Sequence, residues 1–572
     1  MRAPVSAPSR GDPLRLSRTL PLAVTAVALA APGAVAAAAP ARTGPQRHVL
    51  LVSVDGLHQD DLTRWVRLHP HGALARLVSG GREFTAAQTP FPSDSFPGLV
   101  GQLTGGDPRT TGVYYDVTWN PTLLAPGTKS CTGATPGTTV AYDESIDKDP
   151  SRLDAGQGVA TAPGGILAMT GAPRALIDPT KLPVDPTTCK PVYPDQYLKV
   201  NTVFSVARAH GLRTAWSDKH PAYEILGGPG GKAIQDLFTP EINSDDAATK
   251  GDWTTDNAAT QQYDAAKVQA VVNELDGYDH SRKGRLGVPA VLGLNFQAVS
   301  TAEKLPVSGG EAGGYTADGK RFGPVLTSAL TFVDAQVGRL EQEISRQHLG
   351  ASTTVILSAK HGQSPEDMGS LTRIDDGAVL DALNAAWRKA ADVDPTASHT
   401  TDLVAGSSDD DGMLLWLSDR SAAATRFAAS FLLSVNGNGT GADGAAKATD
   451  SAGKPRPYAA SGLTSVLSGA GAAEFFGVRP GDARVPDVVG LAQHGVVFTG
   501  GTKKIAEHGG FDPQDRDVPL VVSGGGVARG VVGTSVETTQ IAPTILGLLG
   551  IDPRELQAVR IQGTAVLPGA VG

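Results

Sequence analysis

Four side chains that could bind a metal ion or attack an ester are spread along the sequence at predicted strand ends and helix starts. Asp55 follows the apolar run 49–54 and precedes a glycine, and Ser95 lies in a turn bracketed by prolines. His361 and His508 stand at turns beside apolar strands. A carboxylate, a hydroxyl nucleophile and two imidazoles together suit a divalent-metal hydrolase, because the ion activates the nucleophile and neutralises charge on the transferred group.

Each of these residues also has a structural explanation when it is taken alone. Asp55 could cap the helix predicted from Asp60, and a single histidine at a strand end is often a hydrogen-bonded structural residue. Ser95 precedes Leu99 and Val100 at helical spacing, so it lies near a helix N-terminus, where free N–H groups and the helix dipole favour an anion. The order and contexts of the four residues together favour the chemical interpretation.

Predicted strands and helices alternate along the chain and place these residues at one edge of a sheet. Buried strands are predicted at 49–55, 213–216, 290–296, 353–358 and 518–523. Helices are predicted at 60–77, 203–210, 265–275, 323–344 and 539–549. This alternation indicates an α/β fold with a mostly parallel central sheet flanked by helices, which binds ligands at the carboxyl ends of its strands.

Two loop-rich inserts interrupt the predicted domain, which spans residues 48–551. The first covers about 117–200, and the second, about 365–480, contains the predicted strand Met413–Leu417. We expect these inserts to form a cap, and residues 552–572 to form a C-terminal tail.

The two cysteines of the chain, Cys131 and Cys189, both lie in the first insert. Two cysteines in one loop-rich region of an exported protein most simply form a disulfide, and neither has the histidine or cysteine neighbours of a metal site.

The N-terminus has the features of a signal peptide. Arginines precede the apolar run Leu20–Ala31, which is short for a membrane span, and small residues around Ala36 suit cleavage. The sequence therefore predicts a signal peptide at 1–36, a linker at 37–47, and secretion without a later transmembrane segment.

The composition is that of an ordinary globular protein and disfavours one class of partner. The chain has 572 residues, 40% hydrophobic and 19% charged, with a formal net charge of -9. A nucleic-acid binder would present a basic surface, so no nucleic-acid partner is expected. The oligomeric state cannot be derived from the sequence.

Five motifs resemble the alkaline phosphatase superfamily, and most closely its type I phosphodiesterase/nucleotide pyrophosphatase branch. They are VDGL at 54–57, SFPGLVGQLTG at 95–105, SAKHGQ at 358–363, HGGF at 508–511 and QIAPTILGLLGI at 540–551. The resemblance implies an alkaline-phosphatase-like fold and a phosphoric ester hydrolase. It also implies a covalent phospho-enzyme on Ser95, one ion bound by Asp55, Ser95 and His361, and His508 as a ligand of a second ion. Zinc is the expected metal, with one or two ions bound.

The chain departs from the family pattern at three places. Lys360 stands where the family usually has an aspartate ligand, and Gly98 where this branch often has an asparagine that contacts the phosphoryl oxygen. The residues after Gln297 also lack the aspartate and histidine that the family carries there. In one interpretation, Lys360 supplies charge in place of a metal; in the other, a different carboxylate such as Glu303 or Asp367 completes the site.

Further polar residues have both a functional and a structural interpretation. Lys219 and His220 follow a predicted strand and would line the substrate pocket or form a solvated turn. Asn295 and Gln297 would contact substrate or a metal, or make hydrogen bonds in the core. The acidic run 409–411 looks like a cation site, although such runs are more often solvated turns.

We therefore expect a secreted, metal-dependent, phosphodiesterase-like hydrolase that acts on a small phosphate ester or nucleotide-like substrate. Within the enzyme class, phosphomonoesterase, phosphonate hydrolase and sulfatase-like activities are alternatives, because specificity depends on the unmatched inserts. The alternative from another class is a secreted binding protein that has lost catalysis, which Lys360 and the missing ligands favour.

Overall fold

The strand that precedes Asp55 lies inside an eight-stranded sheet. The structure is a computed structural model that describes residues 46–160, 164–246, 251–390, 401–442 and 444–571. The predicted signal peptide lies outside the described residues. In chain order, the strands β1 to β8 are His48–Val54, Arg82–Phe84, Ala215–Ser217, Asp236–Phe238, Val291–Phe296, Thr353–Ser358, Val521–Gly524 and Gly530–Val532.

The sheet order is β8-β2-β7-β6-β1-β5-β3-β4. Five neighbouring strands in this order, β6, β1, β5, β3 and β4, run parallel to one another. Strand β7 is antiparallel to β6. The predicted mostly parallel sheet is confirmed. Every residue of β1 is buried, because helices cover both faces of the sheet.

Helices pack on the two faces of β1 through alternate side chains. The longer helices, α1 to α10 in chain order, are Gln59–Leu68, Ala73–Gly80, Ser95–Thr104, Val203–Ala209, Asn257–Leu275, Ala298–Lys304, Pro324–Arg346, Asp376–Lys389, Ala422–Ser434 and Ile541–Leu548. Val49 and Leu51 share a core with α3 and α10, whereas Leu50 and Val52 share one with α5 and α7.

The first insert is closed internally by the disulfide and is held to the rest of the domain by apolar contacts. Cys131 and Cys189 are bonded, as predicted, with their Cα atoms 5.8 Å apart. Leu123, Val140 and Ile177 belong to the same buried cluster as α3. This insert is therefore part of the core, despite its irregular backbone.

The second insert, together with the residues that follow it up to Phe498, forms a lobe with its own sheets and hydrophobic core. A four-stranded antiparallel sheet joins Val404–Asp409, Gly412–Leu417, Val488–Ala492 and Leu463–Ser468 in that order. A three-stranded sheet joins Ala448–Thr449, Thr372–Ile374 and Val496–Phe498. Residues of α8 and α9 pack in the core of this lobe.

Short elements complete the described chain. The strands are Ala87–Gln88, Val117–Asn120, Thr138–Ala141, Asp245–Asp246, Gly251–Asp252, Val307–Ser308, Glu311–Ala312 and Val536–Glu537. The α-helical turns are Pro108–Thr111, Pro194–Tyr197, Ala470–Phe475, Pro513–Arg516 and Gln557–Gln562. The 3-10 helices are Glu144–Ile146, Gly165–Ala168, Pro173–Leu176, Pro179–Lys181, Pro221–Gly227, Ala460–Gly462, Thr538–Gln540 and Pro553–Glu555.

Two differences from the sequence prediction, one at a helix start and one a missed strand, have local reasons. Helix α5 begins at Asn257 rather than near Ala265, because Asp256 caps it by accepting a hydrogen bond from the Ala259 amide. The edge strand Asp236–Phe238 was not predicted, since its few residues show no periodic pattern. Within the described ranges, no helix has the length and apolar character needed to cross a bilayer.

Candidate active site

Three of the predicted site residues meet at the carboxyl edge of the central sheet. Asp55 follows β1, His361 lies in the loop after β6, and Ser95 is the first residue of α3. Ser95 Oγ lies 3.2 Å from His361 Nε2, which lies 3.8 Å from Asp55 Oδ2. All three residues are buried. The structure thus assembles a hydroxyl, an imidazole and a carboxylate from remote parts of the sequence.

The Asp55 carboxylate is oriented by amide groups from the neighbouring strand β5. Asn295 Nδ2 donates to Asp55 Oδ1 at 2.7 Å, and Gln297 Nε2 donates to Asp55 Oδ2 at 2.6 Å. The register of β1 and β5 pairs Ser53 with Asn295, which brings these amides beside Asp55. Asn295 and Gln297 therefore position the carboxylate.

Two ammonium groups face the same carboxylate oxygen. Lys219 Nζ and Lys360 Nζ lie 3.6 and 3.7 Å from Asp55 Oδ2. The fully buried Lys360 also donates to Asp218 Oδ1 at 3.1 Å and to the Tyr223 hydroxyl at 2.8 Å. Burial would raise the pKa of Asp55, but Lys360 and Lys219 outweigh it and hold that pKa below its usual range.

Ser95 Oγ is contacted by a cation on one side and an imidazole on the other. Lys219 Nζ donates to Ser95 Oγ at 3.0 Å. His361 Nδ1 lies 2.9 Å from the Gly362 carbonyl, so Nδ1 carries the proton and Nε2 accepts the Ser95 hydroxyl hydrogen. Burial lowers the pKa of His361 to about 3 against the opposing effect of Asp55, so the ring is neutral near pH 7.

His508 lies beside His361, and several acidic side chains surround His508. The two imidazole centroids are 4.0 Å apart, and His508 Nδ1 lies 3.7 Å from Asp94 Oδ2. Asp410 and Glu507 place carboxylate oxygens near His508, and the three residues are close enough together to hold a metal ion. Sequence reasoning did not assign Glu507 to the site, although it directly precedes a motif histidine.

Lysines neutralise part of this acidic group. Lys304 Nζ lies 2.7 Å from Glu507 Oε2, and Lys504 also pairs with Glu507. Asp410 accepts a hydrogen bond from the Tyr115 hydroxyl at 2.7 Å. The acidic run 409–411 thus includes a residue that contacts the site, and it is not a solvated turn.

The described residues contain two further groups of acids and histidines that could hold a metal ion. They are His58, Asp61 and Glu303, and Glu144, His220 and Glu241. His220 Nδ1 lies 2.8 Å from Glu241 Oε1, so its ring is engaged by this carboxylate rather than by Ser95. Of the predicted pair at 219 and 220, the lysine is the one that contacts Ser95.

The residues at Asp55 do not fit the two-ion centre that the family resemblance implies. The charges of Lys219 and Lys360 already balance those of Asp55 and Asp218, so a divalent ion would leave net positive charge in a buried site. Unit charges about 4 Å apart repel by about 4 kcal/mol at an effective dielectric near 20, and the repulsion is larger for a divalent ion. Both Asp55 oxygens also accept amide hydrogen bonds.

The two carboxylates considered as substitute ligands have other partners. Glu303 accepts a hydrogen bond from the Tyr315 hydroxyl at 2.9 Å. Asp367 Oδ1 lies 2.9 Å from His494 Nε2 on the surface of the domain. These contacts favour the interpretation in which Lys360 supplies charge at the site.

Gly98 and Lys360 are linked by direct backbone contact. A Cβ atom at Gly98 would lie 2.2 Å from the Lys360 carbonyl oxygen, too close for any side chain at position 98. Position 98 therefore has no room for a side chain while the loop that carries Lys360 keeps this backbone path.

Comparisons with known proteins agree with this architecture. The sequence pattern of the family described as type I phosphodiesterase / nucleotide pyrophosphatase matches residues 49–512. No curated protein matches the sequence at a significant level.

Solved structures show the same fold at low sequence identity. Murine ectonucleotide pyrophosphatase/phosphodiesterase 5, solved both alone and as an inactive form with AMP, aligns with a TM-score of 0.50 and 12% identity, covering 89% of this chain and 96% of that chain. The alkaline phosphatase PafA aligns with a TM-score of 0.55 and 14% identity, covering 89% and 97%. Because the family pattern matches most of the sequence and the sheet agrees with it, the chain belongs to the type I phosphodiesterase/nucleotide pyrophosphatase family.

Proposed function

We propose that this protein hydrolyses phosphate esters by way of a covalent phospho-Ser95 intermediate. The observation that carries the proposal is the position of Ser95 Oγ, 3.2 Å from His361 Nε2 and 3.0 Å from Lys219 Nζ. The imidazole is oriented to accept the hydroxyl proton, and the ammonium is placed to hold an oxygen of the transferred group.

The surroundings of Ser95 also suit an anionic substrate. Ser95 begins α3, so the first N–H groups of this helix and its dipole favour negative charge. Lysine can hold phosphate as a point charge. A diester or a nucleotide-like ester is the proposed substrate class, which the family membership and the AMP complex of the murine relative support.

A divalent ion bound by this family would supply Lewis-acid activation of the nucleophile and charge neutralisation. The resemblance assigns one ion, zinc by ligand type, to Asp55, Ser95 and His361, and a second to His508. Binding there would require Lys219 to leave the site, so the proposed reaction steps do not involve an ion.

Secretion through the N-terminal segment is part of the proposal, as the basic and apolar pattern of residues 1–36 supports it.

Replacement of the nucleophile tests the function. Ser95→Ala is expected to lower kcat/KM for bis-p-nitrophenyl phosphate by at least about a thousandfold, because no covalent intermediate can form. Intact mass spectrometry of the acid-quenched wild type should show one added phosphoryl group, which the variant lacks. Ser345→Ala, at an exposed position of α7, is the matched control and should keep full activity.

The second candidate function is phosphate-ester binding without turnover. The observation that favours it is the pocket's charge balance, in which lysines stand where a catalytic ion is expected. Equal phosphate binding by wild type and Ser95→Ala, with no hydrolysis by either protein, would establish the binding protein and contradict the hydrolase.

A further inference from the structure

We infer that the pocket of Ser95 binds and transfers the phosphoryl group without a divalent ion, with the Lys219 ammonium as the cation at the nucleophile. This inference rests on the proposed function and specifies the chemistry of the same site. It departs from the two-ion centre implied by the family resemblance.

The Lys219 ammonium is surrounded by oxygen atoms as a bound cation would be. Its Nζ lies 3.0 Å from Ser95 Oγ, 3.5 Å from Gln297 Oε1 and 3.6 Å from Asp55 Oδ2. An ammonium has three N–H donors, so the number of facing oxygens equals the number of donors. An ion bound by Ser95 and Asp55 would therefore compete with Lys219 for the same space and the same ligands.

The backbone that carries Lys219 is fixed by contacts of its neighbour Asp218. The Asp218 amide donates to the Phe238 carbonyl at 3.0 Å, and Trp216 Nε1 donates to Asp218 Oδ2 at 2.8 Å. Lys360 binds the other oxygen of Asp218. Only 14% of the Lys219 side chain is exposed, so the ammonium is held at the nucleophile rather than extended into solvent.

The two lysines have different roles in this arrangement. Lys219 contacts the reacting oxygen and can contact a phosphoryl oxygen, so it acts directly on the transferred group. The fully buried Lys360 joins Asp55 to Asp218 and contacts Tyr223, so it is a positioning residue. This division explains why Lys360 stands at a ligand position without occupying the space at Ser95 Oγ.

The two chemical steps balance without a metal or another co-reactant. In the first, the Ser95 Oγ–P bond forms, the bond from phosphorus to the leaving-group oxygen breaks, and the hydroxyl proton moves to His361 Nε2. In the second, a water oxygen bonds to phosphorus, the Oγ–P bond breaks, and Ser95 Oγ takes the proton back from His361. The proton of the water passes to the departed leaving group or to solvent. Lys219 holds the negative oxygens throughout.

The test combines phosphate binding with activity in the presence of a chelator. Purified mature protein is treated with EDTA and 1,10-phenanthroline, and its residual metal is measured by elemental analysis. Inorganic phosphate binding is then measured by titration calorimetry, and bis-p-nitrophenyl phosphate hydrolysis is measured on the same sample. We expect saturable phosphate binding and activity within twofold of the untreated protein at well below one metal ion per chain.

Variants at position 219 assign the effect to one ammonium group. Lys219→Met should weaken phosphate binding at least tenfold and lower kcat/KM at least a hundredfold, whereas Lys219→Arg, which keeps the positive charge, should recover part of both. Lys232→Met is the matched control, because Lys232 is exposed, and it should match wild type. Circular dichroism and melting temperatures establish whether each variant is folded. If Lys219→Met fails to fold, the chelated wild type and Lys219→Arg still decide the question.

The outcomes separate this inference from the proposed function. Loss of phosphate binding or activity in chelator, with recovery on adding zinc, would overturn the metal-free site while supporting the hydrolase. Phosphate binding in chelator that depends on Lys219, without turnover under any condition, would support the cationic site and overturn the hydrolase. Unchanged phosphate binding by Lys219→Met would overturn the role of Lys219.

Discussion

At the residue scale, Gly98 and Lys360 are linked by a direct backbone contact. The Lys360 carbonyl lies where a side chain at position 98 would project, so a glycine is required there. The three nearest atoms that a Cβ at Gly98 would meet are all backbone atoms of Lys360, so the exclusion depends on the path of the loop that carries Lys360.

This coupling predicts that a single methyl group at position 98 is harmful. Gly98→Ala should lower the free energy of unfolding by about 2–4 kcal/mol, because its Cβ must displace backbone rather than a flexible side chain. Hydrolysis should fall with it, since Lys360 and His361 would shift. Urea unfolding and kcat/KM measured on the same sample check both effects.

The matched control lies on the same helix. A Cβ at Gly101 would meet its nearest neighbours at 3.4 Å, close to ordinary contact. Gly101→Ala should stay within about 1 kcal/mol of wild type, helped by the higher helix propensity of alanine. Equal stability of the two variants would contradict the proposed contact between Gly98 and the Lys360 loop.

The sequence predicted Asp55, Ser95 and His361 as neighbours, because each follows a strand or opens a helix within a recognisable motif. It left Lys219 open between a pocket residue and a solvated turn. The direction of a long side chain in a turn depends on what packs around it, here Asp218, Trp216 and the end of β5. Local sequence carries no signal for those contacts.

At the scale of elements, the site exists because strand ends and one helix start converge. The register pairs Ser53 of β1 with Asn295 of β5 and with Ser358 of β6. Asp55 and Lys360 therefore leave the sheet side by side, next to the amides of β5. The long, uniformly apolar strands were predictable from sequence, whereas the short edge strands were not, because three residues cannot show a period.

Two carboxyl groups near this convergence predict a pH dependence of substrate binding. Burial raises the pKa of Asp94, which caps α3, to about 6. Burial and the charge of Glu507 raise the pKa of Asp410 to about 7. Both groups are neutral below these values and negative above them, so an anionic substrate should bind more weakly as pH rises through 6 to 7.

The measurement is the KM for bis-p-nitrophenyl phosphate, a diester whose single charge does not change over this range. From pH 5 to pH 8 we expect KM to rise about threefold or more, and Asp410→Asn should reduce the rise. Asp318→Asn is the control, because Asp318 is exposed and its pKa is lowered, so it stays ionised throughout. A KM that falls with rising pH would contradict the assigned charges.

At the scale of the whole molecule, both inserts pack with elements that carry the candidate site. The second insert contributes Asp410 to the surroundings of His508, and Asp410 accepts a hydrogen bond from the Tyr115 hydroxyl. The first insert contributes Leu123, Val140 and Ile177 to the core under α3. Their existence was predictable from composition, but not their packing, because apolar residues in irregular segments have no periodicity to indicate a buried face.

This packing predicts that the disulfide contributes stability without controlling the chemistry. The bond closes a loop with a sequence separation of 58 residues, for which the chain-entropy model gives at most about 4 kcal/mol. Removing both thiols with Cys131→Ser and Cys189→Ser should lower the free energy of unfolding by about 2–4 kcal/mol. Activity should stay within twofold, because the apolar side chains of the insert still hold it against α3.

Reduced wild type is the control and should match the double variant in denaturant unfolding. A tenfold loss of kcat/KM in the folded double variant would instead mean that the disulfide, rather than the core contacts, positions the insert at the active site.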